Sequence, residues 1–246
     1  MDKVAIFADW ANVYQNIKRA AKELSVKGFD HNNICHLTYF FHSFISSDEK
    51  IFRIYFYNAT AMSGQEVETY IGKAPRFDAS TRANFNIYWR TEAVAGDPKS
   101  TPAYKQDLSH RQSEKLHQEI MRSNLYALRL GQQRCQNIDA TGRPTFAQKQ
   151  VDMLMGIDIA HVSFYRQVEK IMIFSADTDM VPALKVARVS GLQTVSATIN
   201  KKRYPDIRIQ KHCDYCRSLN LDDIYNKGKT DVWDTGKITR TEVDFK

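Results

Sequence analysis

Apolar positions in this chain come in short unbroken blocks, not in a residue-by-residue alternation. Val4-Ala5-Ile6-Phe7-Ala8 is one such block, and it stops on Asp9. Ile171-Met172-Ile173-Phe174 is another, running into Ser175-Ala176-Asp177-Thr178-Asp179. Short apolar blocks rich in branched and aromatic residues, each followed at once by helical spacing, mark strands buried on both faces of a parallel sheet. After Asp9 the apolar residues Val13, Ile17, Ala20, Ala21 and Leu24 recur at helical spacing, and Gly28 offers a stop. A second helix is predicted over 34–45 and a second strand over 51–57, which implies a right-handed crossover and a parallel pair. Further on, the pattern predicts a helix over 106–123, a strand over 125–130, a loop over 131–145 and a helix over 148–165. A strand over 168–174, a helix over 180–190 closed by Gly191, and a strand over 192–197 follow. A short helix over 205–211 and a last strand over 216–219 complete the series. Such alternation predicts an α/β fold, with a central, mostly parallel sheet of about five strands flanked by helices.

The middle of the chain is less regular. Gln65 to Ile71 reads as a short helix, Phe85 to Arg90 as a strand, and Gly96-Asp97-Pro98-Lys99-Ser100-Thr101-Pro102 as a loop. We read residues 1–222 as one domain carrying an insertion at about 61–144, and 223–246 as a polar tail without periodicity.

Composition narrows the picture modestly. The length of 246 residues allows one large core, and 43% hydrophobic with 26% charged residues is ordinary for a globular protein. A net charge of +7 favours an acidic partner, of which nucleic acid is the commonest. No apolar stretch is long enough to span a bilayer, and Met1-Asp2-Lys3 leads straight into a strand with no secretory pattern, so no membrane partner and a cytoplasmic location are expected. Four cysteines fit a reducing compartment. His212-Cys213-x-x-Cys216 is half of a zinc site, but the other cysteines are isolated, so buried thiols are expected.

The candidate chemistry is acidic. In an open α/β sheet the functional crevice lies beyond the carboxyl ends of the strands, so Asp9, Asp177 and Asp179 are expected on one edge. Asp152, near the start of its helix, supplies a fourth carboxylate. Asp158 lies roughly 240° further round a regular helix once a full turn is removed, which makes it secondary. Unpaired carboxylates in one crevice repel, and a hard cation such as Mg²⁺ or Mn²⁺ relieves them. Asp9, Asp152, Asp177 and Asp179 are therefore the candidate metal ligands and catalytic residues for phosphodiester hydrolysis. Asn12 could hold a water or a phosphate oxygen, Ser175 could donate a hydroxyl bond, and Lys149 could steady a phosphate as a point charge. Each acid has a duller use, as a helix cap or a solvated helix position, and Pro182 fits capping by the 177–179 segment. Lys201, Lys202, Arg203 and Arg208 form a basic run soon after the fifth strand, where substrate phosphates would pass. Arg76, Arg82 and Arg90, interleaved with Phe77, Phe85, Tyr88 and Trp89, suit either a single-strand binding surface or a half-buried strand. His110 and His117 are expected on the surface.

These stretches carry a resemblance. IFADWANVY at 6–14, KQVDMLMGIDIA at 149–160 and IFSADTDMVPALKVARVSGLQTV at 173–195 resemble, in order, the motifs of the NYN domains, a branch of the PIN-like nucleases. A looser match is Asp214 in HCDYCRSL. Where that family usually has Asp-Gly-x-Asn, this chain reads Asp9-Trp10-Ala11-Asn12, which puts a ring beside the site, to stack on a base or fill a packing gap. The resemblance implies a PIN-like three-layer fold and Mg²⁺- or Mn²⁺-dependent cleavage of RNA. It carries over Asp9, Asp152, Asp177 and Asp179 as the acids with Asp158 secondary, and it allows a homodimer. The alternatives are an inactive RNA- or protein-binding module on the same fold, and an aspartyl-phosphate phosphatase built on Asp177-Thr178-Asp179. The phosphatase motif normally opens its fold, and here too little chain follows it.

Overall fold

The computed structural model describes residues 1–24, 30–199, 205–219 and 240–244. In chain order the first elements are β1 (Asp2–Asp9), α1 (Trp10–Leu24), α2 (Ile34–His42), β2 (Glu49–Thr60), α3 (Gly64–Lys73) and α4 (Ala79–Arg90). Then come α5 (Pro102–Met121), β3 (Tyr126–Ile138), β4 (Pro144–Lys149), α6 (Val151–Phe164) and β5 (Lys170–Phe174). The last are α7 (Val181–Val189), β6 (Gln193–Ile199), α8 (Ile207–Gln210), β7 (Tyr215–Leu219) and β8 (Arg240–Asp244). The chain divides into two compact units. The first holds 1–58, 119–129 and 151–246; the second holds 59–118 and 130–150.

In the first unit the strands run in the order β3-β2-β1-β5-β6-β7-β8. β2, β1, β5, β6 and β7 pair parallel throughout. Val4 to Ala8 are completely buried, which is why β1 reads as an unbroken apolar block. Alternation along the strands still sorts residues between two faces. Ala5, Phe7, Ile171 and Ile173 pack with Met155, Ile159 and Val162 of α6 and with Leu184 and Ala187 of α7. On the other side Phe40, Phe41 and Phe44, in and just after α2, meet Phe174 at ring distances of 5.7, 5.2 and 4.7 Å. Trp10 of α1 lies 5.1 Å from Phe56. The result is helix, sheet, helix.

The sheet is larger than about five strands. The parallel core is five, and among the described residues β3 and β8 widen it to seven. The expected loop over 131–145 is instead the continuation of β3 and its antiparallel return, β4. Gln132-Gln133-Arg134 sits on a largely exposed ribbon, so no apolar signal marked it. The connecting turn is built by Asp139, whose Oδ1 accepts from the Thr141 and Arg143 backbone N–H groups at 2.9 and 3.0 Å. Gly142 takes φ 84°, and a Cβ there would stand 2.2 Å from the Asn84 carbonyl oxygen, so only glycine fits. Residues 85–90 are not a strand. They lie in α4, which Asp78 caps by accepting from Thr81 N–H at 2.7 Å. Phe85 and Trp89 are one turn apart and join Val67, Ile71, Phe77, Cys135 and Ile138 in the core of the second unit. His117 is buried at 3% exposure, not on the surface. Of the tail, 240–244 pair as β8 antiparallel to β7, and 220–239 lie outside the described residues.

Candidate functional site

Parallel pairing brings the carboxyl ends of β1 and β5 side by side, with Ala8 opposite Phe174. The residues that follow are the candidate acids. Asp9 ends β1 at 8% exposure, and its Oδ1 accepts the Asn12 N–H at 3.3 Å. Burial pushes its carboxyl above the ordinary aspartate value. The Asn12 N–H pulls the other way, and the negative charge of Asp152 adds to the rise. Asp152 sits in the first turn of α6 with an accessible side chain. Its carboxyl is also raised, first by partial desolvation and then by the charges of Asp177 and Asp179. Asp177 caps a one-turn 3₁₀ helix, Thr178–Met180, by accepting the Asp179 N–H at 2.9 Å, and its own N–H donates to Ser175 Oγ at 3.1 Å. The capping use of Asp177 is therefore real, and it occupies one of the two carboxylate oxygens. Asp179 is exposed.

The four aspartates come from three separate segments, and Asp152 links them electrostatically: its charge acts on Asp9, and those of Asp177 and Asp179 act on it. Among the described residues none of them is in an ion pair with a lysine, arginine or histidine. Nor, among the described residues, do three or more His, Cys, Asp or Glu side chains stand ready-grouped around one ion position.

The remaining candidates sort as follows. Asp158 does not join the acids: its Oδ2 accepts from Tyr57 Oη and Arg129 Nε, both at 2.8 Å. Burial and that carboxylate push the Tyr57 hydroxyl well above its ordinary value. Asn12 and Ser175 both stand at the rim and line a cavity of about 200 Å³ beside it. Asn16, Arg19 and Thr198 line the same cavity and escaped notice in the sequence. The signal was present in part, because Asn12, Asn16 and Arg19 recur at helical spacing on α1. Lys149 is the exposed last residue of β4, in the second unit. Lys201, Lys202 and Arg203 lie outside the described residues. Arg208 is exposed and holds Asp206 through two bonds, at 2.9 and 3.0 Å, with Asp179 contributing to the field that keeps it charged. Trp10 is 7% exposed and packs on Phe56, so its ring fills the core and does not face a substrate.

Asp214 stands at the opposite rim. It precedes β7, accepts from the Thr194 N–H at 2.8 Å near the start of β6, and pairs with Arg188 at 3.2 Å. Cys213 and Cys216 are buried, and burial pushes the Cys213 thiol up to about 12. The basic and aromatic residues of 76–90 are mostly spent internally. Arg76 donates to the Cys135 carbonyl and covers the Phe77 ring at 4.7 Å, Arg82 donates to the Ala74 carbonyl at 2.9 Å, and Arg90 faces Glu68 at 3.8 Å.

A parallel α/β sheet whose carboxyl edge gathers unpaired aspartates is the arrangement of the PIN-like nuclease class. The family model of the NYN domain matches residues 3–220, and the chain belongs to the NYN domain family. No curated protein matches it. Two solved structures align loosely. One is a carbohydrate transporter from Acidothermus cellulolyticus 11B in complex with myo-inositol: 9% identity, 99% of this chain, 94% of that chain, TM-score 0.24. The other is a periplasmic sugar-binding protein from Pseudomonas fluorescens: 12% identity, 92% and 77% coverage, TM-score 0.21. Neither superposition is close enough to carry an argument. No helix among the described residues is long and apolar enough to cross a membrane.

Proposed function

We propose that this protein is a divalent-metal-dependent ribonuclease that hydrolyses internal phosphodiester bonds of single-stranded or structured RNA. One observation supports the proposal: burial and neighbouring acidic charge raise the carboxyls of Asp9 and Asp152, the charge coming from Asp152 on Asp9 and from Asp177 and Asp179 on Asp152, and no described basic side chain forms an ion pair with these four acids. Repulsion of this kind is costly unless a ligand uses it. The donor set is all carboxylate oxygen, which suits Mg²⁺ or Mn²⁺. Mg²⁺ needs only one or two direct carboxylates, because it keeps several waters and takes phosphate oxygens from the substrate. Asp9, Asp152, Asp177 and Asp179 would hold the ion, which when bound supplies charge neutralisation and an acidified water.

The chain's own groups do the rest. Asp9, with its carboxyl held above the ordinary value, is suited to accept a proton from the attacking water. Ser175 Oγ accepts from the Asp177 N–H and so keeps its own hydrogen for a phosphate oxygen. Lys201, Lys202, Arg203 and Arg208 would neutralise the RNA backbone. RNA is preferred over DNA on family grounds.

A labelled single-stranded RNA incubated with the protein and Mn²⁺ tests the proposal. Wild type cuts it, Asp9→Asn and Asp177→Asn lose about a hundredfold or more in rate, and a chelator stops the reaction. Wild type that takes up no Mn²⁺ in calorimetry and never cuts would overturn it. A second reading has its own support. Asp177 spends one oxygen on a cap, and no three-acid group stands preassembled among the described residues, as in an inactive RNA- or protein-binding module. RNA that is bound but left intact would favour that module.

A further inference from the structure

The second unit contains a cavity that the acidic rim does not explain. It lies between the end of α4, the start of α5 and the β3–β4 turn, and has a volume of about 410 Å³. Cavities of roughly 300–1,000 Å³ are the size that small organic ligands occupy. Its chemistry is uneven in an informative way. Tyr88, Trp89 and Phe146 supply aromatic wall, and Pro102 and Pro144 add apolar surface. Lys105 and Arg143 supply two positive charges, and no aspartate or glutamate lines it. Neither cation is in an ion pair with a described carboxylate. Trp89 is held rigidly, at 2% exposure and 5.0 Å from the Phe85 ring, and its indole N–H has no hydrogen-bond partner among the described residues. Gln106 is fixed as well, since its Nε2 donates to the Met62 carbonyl at 2.7 Å, which leaves its Oε1 as an acceptor.

An inorganic anion would account for the two cations but not for the rings or the volume. A purely apolar ligand would account for the rings and leave the cations unused. Aromatic wall, two cations and an amide acceptor lining one cavity match a nucleobase joined to a phosphate. We infer that the second unit holds one nucleotide, its base against Tyr88 and Phe146 and its phosphate between Lys105 and Arg143. That unit is either a free nucleoside monophosphate or one residue of a nucleic-acid strand. The inference does not rest on the acidic rim cutting anything.

The experiment is calorimetric titration of the full chain, with chelator present throughout so that nothing is cleaved. The probes are AMP, UMP, a single-stranded RNA pentamer, and a pentamer of the same backbone without bases. The variants are Lys105→Gln/Arg143→Gln and Phe146→Ala. Wild type binds at least one base-bearing probe. The double variant binds it at least about tenfold more weakly, and for the pentamer the slope of log affinity against log salt falls by about 1.4. Phe146→Ala and the abasic pentamer each lose about tenfold as stacking is removed. Binding by AMP or UMP assigns a free nucleotide; binding by the base-bearing pentamer alone assigns a strand. Lys105 and Arg143 are exposed, so the double variant keeps its circular dichroism, and Lys105→Gln alone repeats the test. No binding by any base-bearing probe at millimolar concentration, an unchanged affinity in the double variant, or an abasic pentamer that binds as well as the RNA overturns the inference.

Discussion

Glu49 is a buried charge in the first unit that a single substitution can unbalance. It opens β2 with a side chain that is 0% accessible, yet it is ionised. Lys170 Nζ donates to its Oε1 at 2.9 Å, Arg217 Nη2 donates to the same oxygen at 2.8 Å, and the Ser46 N–H donates to Oε2 at 3.0 Å. Burial alone would push this carboxyl up; Arg217, the Ser46 N–H and Lys170 outweigh it and bring it from 4.5 down to about 2. By linkage that drop is worth roughly 3 kcal/mol at neutral pH, the lower end of the range for breaking a buried ion pair. Glu49→Gln should therefore cost about 3 kcal/mol, because it leaves the charges of Arg217 and Lys170 facing a neutral amide. Urea denaturation at pH 7 measures it as a fall in midpoint at unchanged slope. A depressed carboxyl contributes stability that is present above its unfolded value and is lost as pH falls through its folded value. Wild type should therefore lose this increment between about 4.5 and about 2, and the variant should not. A loss below about 1 kcal/mol at pH 7, or the same acid dependence in both proteins, would refute the reasoning.

Two further predictions concern residues close to the proposed site in sequence. Asp158→Ala removes the acceptor shared by Tyr57 and Arg129. With Arg129 side chain 38% exposed it should cost only about 1–2 kcal/mol in thermal or urea unfolding and leave the rate of RNA cleavage per folded molecule unchanged. A large loss of cleavage would return Asp158 to the acid set. Gln150, immediately before α6, holds φ 74°, a left-handed conformation that costs a side chain roughly 1 kcal/mol. Gln150→Gly should therefore raise the urea midpoint, and a fall would mean that the glutamine side chain stabilises the turn by more than its backbone costs.

The parallel core was legible because burial on both faces leaves no ambiguity. Val4 to Ala8 and Ile171 to Phe174 had to be apolar at every position, and that same property ended abruptly at Asp9 and before Asp177. That Asp9 and the segment after β5 share one edge was legible for the topological reason that parallel strands place their carboxyl ends together. The ribbon of β3 and β4 was not, since its exposed positions carry Gln, Arg and Asn, and its pairing depends on a turn set by Asp139 and Gly142. Phe85 to Arg90 reads as a strand in the sequence and is the second half of helix α4 in the structure. Its cap at Asp78 and the spacing of Phe85 and Trp89 were the better guides. Asp214 shows the limit of motif matching: a carboxylate beside a strand is informative only once it is known which end of the strand it stands at.

The two rims of the sheet handle charge in opposite ways. At the amino ends Glu49 is neutralised by Lys170 and Arg217, and Asp214 is paired with Arg188 and accepts from the Thr194 hydroxyl. At the carboxyl ends Asp9 and Asp152 are raised, so each contributes stability that is present below the ordinary aspartate value and is lost as pH rises through its folded value. Above those folded values the fold carries the cost of burying the charge, together with the repulsion between neighbouring acids. Asp9→Asn keeps an oxygen to accept the Asn12 N–H and deletes the charge, so at pH 7 it should be more stable than wild type. As pH falls wild type takes up protons at this rim and regains what it lacks, so the advantage of the variant should shrink toward pH 4. Histidines 31, 42 and 117, which burial holds below their ordinary value, shift both proteins alike and cancel in the difference. Urea midpoints of the two proteins across that range decide the matter. A difference that stays constant or grows on acidification would show that the acids at this rim do not repel one another, and the case for a cation there would fall with it.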